Sequence, residues 1–144
     1  MLSEKKEIAG PDPAAGGTET ILIVEDEEIL REMARDILTE SGYRILEAGS
    51  GKEALEVWRK SGREIDLLFT DMVMPEGMSG VDLVERLMSD RPDLKIIFTS
   101  GYSAGDINAK LLSRAQTRFL PKPYTNATLN KIIRESLDQS GVDH

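Results

Sequence analysis

The chain has 144 residues, enough for one domain with a substantial core and too few for two comfortable ones. Its formal net charge of -8 argues against a general nucleic-acid binder, which needs excess Lys and Arg to meet phosphate. With no Cys and a single His at the very end, His144, disulfides, thiolate metal sites and a histidine-based zinc site or catalytic dyad inside the fold are excluded.

No apolar run reaches the roughly 18 residues of a membrane span, and no signal-type apolar stretch opens the chain. A soluble cytoplasmic domain is therefore expected. Residues 1–18 mix Pro11, Pro13, Gly16 and Gly17 with charges and alanines, without an apolar period. They read as a flexible N-terminal tail or linker. Residues 19–140 read as the folded domain and 141–144 as a short C-terminal tail.

From Thr20 onward, short apolar runs alternate with segments of helical spacing. The runs fall at 21–25, 44–48, 65–70, 95–100 and 117–121. After the first run, Ile29, Met33 and Ile37 recur at helical spacing, widened by Leu30 and Leu38. Ser50-Gly51-Lys52-Glu53 then has the pattern of a capping box, opening a helix with Ala54, Leu55, Val57 and Trp58. Ser79, with Asp82 three residues on, opens a third helix bearing Leu83, Val84, Leu87 and Met88. A weaker fourth surrounds Ile107, Leu111 and Leu112. Thr125 is placed to cap a fifth, faced by Leu129, Ile132, Ile133 and Leu137. Strands and helices in strict alternation predict an α/β fold: a doubly wound, five-stranded parallel sheet with five helices on its two faces.

In such sheets ligands bind beyond the carboxyl ends of the strands. The polar residues gather there: Glu25 and Asp26, Asp71, Ser100, and Lys122. Each has an ordinary explanation alone. Acidic residues favour helix N-termini, Asp and Ser-Gly form turns, and Lys122 between Pro121 and Pro123 suits a solvated loop. Together they describe one site. Three converging carboxylates repel by roughly 4 kcal/mol per pair at 4 Å and an effective dielectric of 20, so a cation is required. With no His or Cys nearby, a hard cation such as Mg²⁺ fits best. A carboxylate can also act as a nucleophile and form an aspartyl phosphate, with hydroxyl and ammonium groups steadying the phosphoryl oxygens. Asp71, flanked by apolar residues, is the candidate nucleophile.

These residues resemble a known family. Ile21-Leu22-Ile23-Val24-Glu25-Asp26, Asp71-Met72-Val73-Met74-Pro75, Ser79-Gly80, Ile96-Ile97-Phe98-Thr99-Ser100-Gly101 and Phe119-Leu120-Pro121-Lys122-Pro123 are similar to the receiver domain of two-component response regulators, the CheY-like domain with a flavodoxin-like fold. The resemblance runs from about Thr20 to Gln139. It implies that Asp71 accepts a phosphoryl group from a histidine kinase or histidine phosphotransfer protein. It implies Mg²⁺ bound by Glu25, Asp26, Asp71 and the backbone carbonyl of Val73. It gives Ser100 the role of switch hydroxyl, in preference to neighbouring Thr99, and sets Lys122 on the phosphoryl oxygens, with its bond to Pro123 cis. Phe119 takes the place of the switch aromatic, its plain alternative being a core Phe. Phosphorylation would then alter a partner-binding surface on the fourth helix, fifth strand and fifth helix, without direct nucleic-acid binding or membrane insertion.

Val73 and Tyr102 carry no amide or carboxylate to orient water, which implies slow self-dephosphorylation with Tyr102 partly covering the phosphate. The loop from Met74 to Gly80 and the stretch Phe98 to Tyr102 look like those of receivers in hybrid sensor kinases, so a stand-alone regulator and a domain from a larger protein both remain open. Three other classes compete. An aspartyl-nucleophile phosphatase or phosphotransferase wants a second Asp where Val73 stands. A flavodoxin-like cofactor binder wants a phosphate-cradling loop where Glu25-Asp26-Glu27-Glu28 would repel phosphate. A degenerate receiver serving as a phosphorylation-independent interaction module would have no use for the intact acidic pair, Asp71 and Lys122.

Overall fold

A computed structural model describes residues 16–74, 77–101 and 116–139. Five strands form one parallel sheet: β1 (Thr20–Val24), β2 (Arg44–Ala48), β3 (Leu67–Asp71), β4 (Lys95–Ser100) and β5 (Thr117–Pro121). Their order is β2-β1-β3-β4-β5, so chain order reverses at β1, and the crevice between β1 and β3 opens at their carboxyl ends. Helices α1 (Glu28–Glu40), α2 (Gly51–Ser61) and α3 (Gly80–Asp90) precede a last helix, Asn126–Asp138. The helical segment expected around Ile107, Leu111 and Leu112 lies outside the described residues, as does Tyr102.

Alternate side chains of the strands feed two cores, one on each face. Leu22, Val24, Leu68, Ile96 and Phe98 pack with Ala54 of α2 and Leu83, Val84 and Leu87 of α3. Ile21, Ile23, Leu67, Phe69 and Ile97 pack with Ala34 and Leu38 of α1 and with Leu129 and Ile133 of the last helix. β1 and β3 are buried along their whole length, which is why they read as unbroken apolar runs. Burying one such Leu or Ile contributes about 1.5–3 kcal/mol.

Three expectations shift in detail. The third strand begins at Leu67 rather than 65, because Asp66 turns back to bond Thr20. The Asp66 carboxylate accepts the Thr20 N–H at 2.8 Å, and the Asp66 N–H donates to the Thr20 carbonyl, also at 2.8 Å. On α1 the buried positions are Ala34 and Leu38, while Ile29 and Met33 are 73% and 55% exposed. At the start of α2, Ser50 accepts the Glu53 N–H at 3.1 Å, but the Glu53 carboxylate takes the Gly49 N–H rather than that of Ser50. The reciprocal capping box is complete at Ser79 and Asp82, and Thr125 caps the last helix through the Thr128 N–H.

Candidate functional site

Glu25 directly follows β1, and Asp71 is the last residue of β3. Pairing of these strands in parallel register, Ile21 with Leu67 through Val24 with Thr70, brings their carboxyl ends side by side. One carboxylate oxygen from each of Glu25, Asp26 and Asp71 lies within 4.8 Å of the others. Glu25 and Asp71 are buried, and Asp26 is the most accessible of the three. The donors are all oxygen, as a hard divalent cation requires.

Lys122 reaches in from the end of β5. Its Nζ donates to Glu25 Oε1 at 2.9 Å and to Asp71 Oδ2 at 3.1 Å. The Lys122 N–H donates to the Ser100 carbonyl at 2.9 Å, and the Lys122–Pro123 peptide is cis, as the resemblance implied. Asp71 Oδ1 accepts the Val73 N–H at 3.3 Å, and the Glu25 carboxylate accepts the Glu27 N–H at 3.1 Å. Burial pushes the Glu25 carboxyl upward, and the bond from Lys122 only partly opposes this. For Lys122, burial disfavours the ammonium. Its bonds to Glu25 and Asp71 outweigh that, and its pKa is raised.

The loop after β3 is shaped by Gly80. The Gly80 N–H donates to the Met72 carbonyl at 2.9 Å. A Cβ on Gly80 would stand 1.9 Å from the Asp71 carbonyl oxygen, so only glycine lets α3 start this close to the site. This is the physical sense of the Ser79-Gly80 pair. Val73, half-exposed, sits at the rim.

Ser100 and Thr99 both end β4, and both are buried. The register partner of Asp71 is Thr99, while Ser100 pairs with Pro121. The Thr99 hydroxyl has no hydrogen-bond partner among the described residues. Phe119, half-buried, packs against the α2–α3 side of the core. Two further residues flank the site without having been singled out in the sequence. Tyr124, two residues beyond Lys122, stands edge-on to Phe69 with ring centroids 6.0 Å apart. Burial raises its phenol pKa, and the field of Glu25 adds to this. Arg31 of α1 donates to the Glu25 carbonyl. Tyr124 was legible only as an aromatic beside a functional Lys, and Arg31 acts through a backbone atom, which leaves no motif.

Comparison with known proteins decides what this arrangement belongs to: residues 21–134 match the response regulator receiver domain. The chain belongs to that family. It is a phosphoacceptor receiver of two-component signalling. Over 123 residues, 85% of this chain, it is 40% identical to the sensor kinase CckA of Brucella abortus, of which it covers 13%. It is 32% identical over 119 residues to the chemotaxis protein CheY of Thermotoga maritima, covering 97% of that protein. The crystal structure of the receiver domain from hybrid histidine kinase CckA superposes with a TM-score of 0.69 at 34% identity, covering 83% of this chain and 99% of that one. The receiver thus spans a small part of some relatives and nearly all of others. Among the described residues, no helix is long and apolar enough to cross a membrane.

Proposed function

We propose that Asp71 is the phosphoacceptor and that Glu25, Asp26 and Asp71, with the Val73 carbonyl, hold Mg²⁺ beside it. The observation that carries this reading is the convergence of three carboxylates, two of them bonded to one ammonium, at the carboxyl edge of a receiver-type sheet. Bound Mg²⁺ would offset the charge between the acidic pair and the incoming phosphoryl oxygens. A carboxylate oxygen of Asp71 attacks phosphorus. The P–N bond of the donor phosphohistidine breaks, its electron pair stays on the imidazole nitrogen, and an acyl phosphate forms on Asp71. Lys122, already bonded to Asp71, shifts its ammonium onto the new oxygens. The donor is a histidine kinase or a histidine phosphotransfer protein, and the setting is the cytoplasmic side of a signalling pathway.

Phosphorylation adds a charge of about -1.5 to -2 and three acceptor oxygens. The Ser100 hydroxyl is drawn onto the phosphoryl group, and Phe119 follows into the space it leaves. The readout surface comprises β5, the last helix and the segment around residues 107–112. The order of β4 gives a sharp way to separate the two hydroxyls. Ser100→Ala is expected to leave phosphorylation intact while abolishing the spectral change on the last helix. Thr99→Val is expected to preserve both, and the reverse pattern would transfer the switch to Thr99.

The decisive test is incubation with Mg²⁺ and a small acyl phosphate, followed by mass spectrometry of the labelled peptide. Label on Asp71 that disappears in Asp71→Asn is expected. Absence of label with every donor would favour a phosphorylation-independent interaction module.

A further inference from the structure

The acidic pair is held from behind by a side chain that the phosphoryl chemistry does not use. Arg31 Nη1 donates to the Glu25 carbonyl at 2.9 Å, while the Glu25 N–H donates to the Ala48 carbonyl of β2 at 3.1 Å. The peptide groups on both sides of Glu25 are therefore pinned. The guanidinium does not swing onto the functional carboxylates, because Nε is engaged by Glu47 Oε1 at 3.4 Å. Glu47 is itself steadied by Arg35 at 3.3 Å. Arg31 has room to lie in this position because Gly49 has no side chain. A Cβ there would stand 3.1 Å from Arg31 Nη1.

The consequence falls on Asp26. Glu25 has Lys122 and the Glu27 N–H to orient its carboxylate. The Asp26 carboxylate receives no hydrogen bond among those of the described residues, so its place in the cluster is set by its backbone. The Glu25 carbonyl that Arg31 holds belongs to the peptide leading into Asp26. We propose that Arg31 is a positioning residue for the metal site: it fixes the Glu25–Asp26 peptide so that the Asp26 carboxylate meets the other two before any cation arrives. This rests on the reading of Glu25, Asp26 and Asp71 as a Mg²⁺ site. Partners that orient metal ligands from behind typically alter affinity by about 10–100-fold when removed.

Calorimetric titration of MgCl₂ into the wild-type chain, Arg31→Met and Arg31→Lys tests this, with thermal melts in EDTA to establish that each is folded. Arg31→Met is expected to weaken Mg²⁺ binding by about tenfold or more. Arg31→Lys is expected to fall between, since an ammonium can reach the carbonyl but cannot fork to Glu47. Labelling by an acyl phosphate should need more Mg²⁺ for half-maximal rate and recover near the wild-type rate at saturation, a split that general destabilisation does not produce. An Arg31→Met affinity within about twofold of wild type would overturn the role of Arg31 and leave the metal reading standing. Wild type without any Mg²⁺ binding would overturn the metal reading itself. If Arg31→Met does not fold, Arg31→Ala, which also removes the bond to the Glu25 carbonyl, takes its place, and wild-type affinity there overturns the proposal.

Discussion

At the amino ends of the strands, charged groups are matched to partners. Asp66 takes the Thr20 N–H, Arg91 donates to the carbonyls of Gly62 and Ile65, and Lys95 donates to the Leu137 carbonyl. Arg134 sits between Glu19 and Asp138. At the carboxyl ends of the same strands, three carboxylates cluster, and the ammonium of Lys122 bonds only two of them, Glu25 and Asp71. One end of the sheet is finished by the fold. The other is left with excess negative charge, which costs stability and is useful only if a cation and a phosphoryl group arrive. Such sites commonly give up stability for function.

Removing Lys122 exposes that difference most strongly. In Lys122→Met, buried Glu25 and Asp71 face each other without their cation. Breaking a buried pair in this way costs roughly 3 kcal/mol, and losing a preorganised cationic donor typically slows the chemistry by about 10²-fold. Urea melts and acyl-phosphate labelling are expected to show both losses. Saturating Mg²⁺ should restore part of the stability, because a ligand that binds only the folded state stabilises it. Failure of Mg²⁺ to restore anything would mean that the carboxylates do not hold a cation.

A gentler change tests what the rim of the carboxyl end contributes. Val73 is 50% exposed beside Asp71 and offers no group to orient attacking water. Val73→Asn with Tyr102→Glu supplies an amide and a carboxylate. The expected outcome is a shorter phosphoryl lifetime, read as the decay of the labelled species after removal of the donor, with no change in the urea midpoint. An unchanged lifetime would leave Val73 as a rim residue only.

The two ends also differ in how readily the sequence discloses them. The sheet and the convergence of Glu25, Asp26, Asp71 and Lys122 could be read because buried parallel strands are nearly continuous apolar runs, ended by the polar residues that do the chemistry. The orientation of α1 could be read only in part, through Leu38, which is buried as expected. Positions i, i+4 and i+8 drift by about 40° per step around a helix, so Ile29, Met33 and Ile37 do not define one narrow face. The buried side is centred on Ala34 and Leu38, with Ile37 at its edge. Lys122 was expected to meet phosphoryl oxygens. Its pairing with Glu25, 97 residues away, follows only from strand order. The same holds for Arg134 and Glu19, separated by 115 residues and brought together by the last helix packing against β4, β5 and α1.

That pair supplies the smallest expected effect and the cleanest contrast. Arg134 Nη2 donates to Glu19 at 2.7 Å and to Asp138 at 2.9 Å, while Nη1 donates to the Gly16 carbonyl at 2.8 Å. The bond from Arg134 holds the Glu19 carboxyl below its ordinary value, against a smaller opposing effect of burial. A carboxyl whose folded pKa is depressed adds stability above its unfolded value, near 4.3, and loses it as pH falls through the folded value. Because the pair is partly solvated, Arg134→Met is expected to cost only about 1 kcal/mol near neutral pH. The deficit should shrink below about pH 4, where wild type also loses the Glu19 contribution. Labelling of Asp71 should stay at the wild-type rate. A pH-independent deficit would show that Arg134 acts through its bond to Gly16 rather than through Glu19, and slower labelling would mean that the two ends of the sheet are coupled.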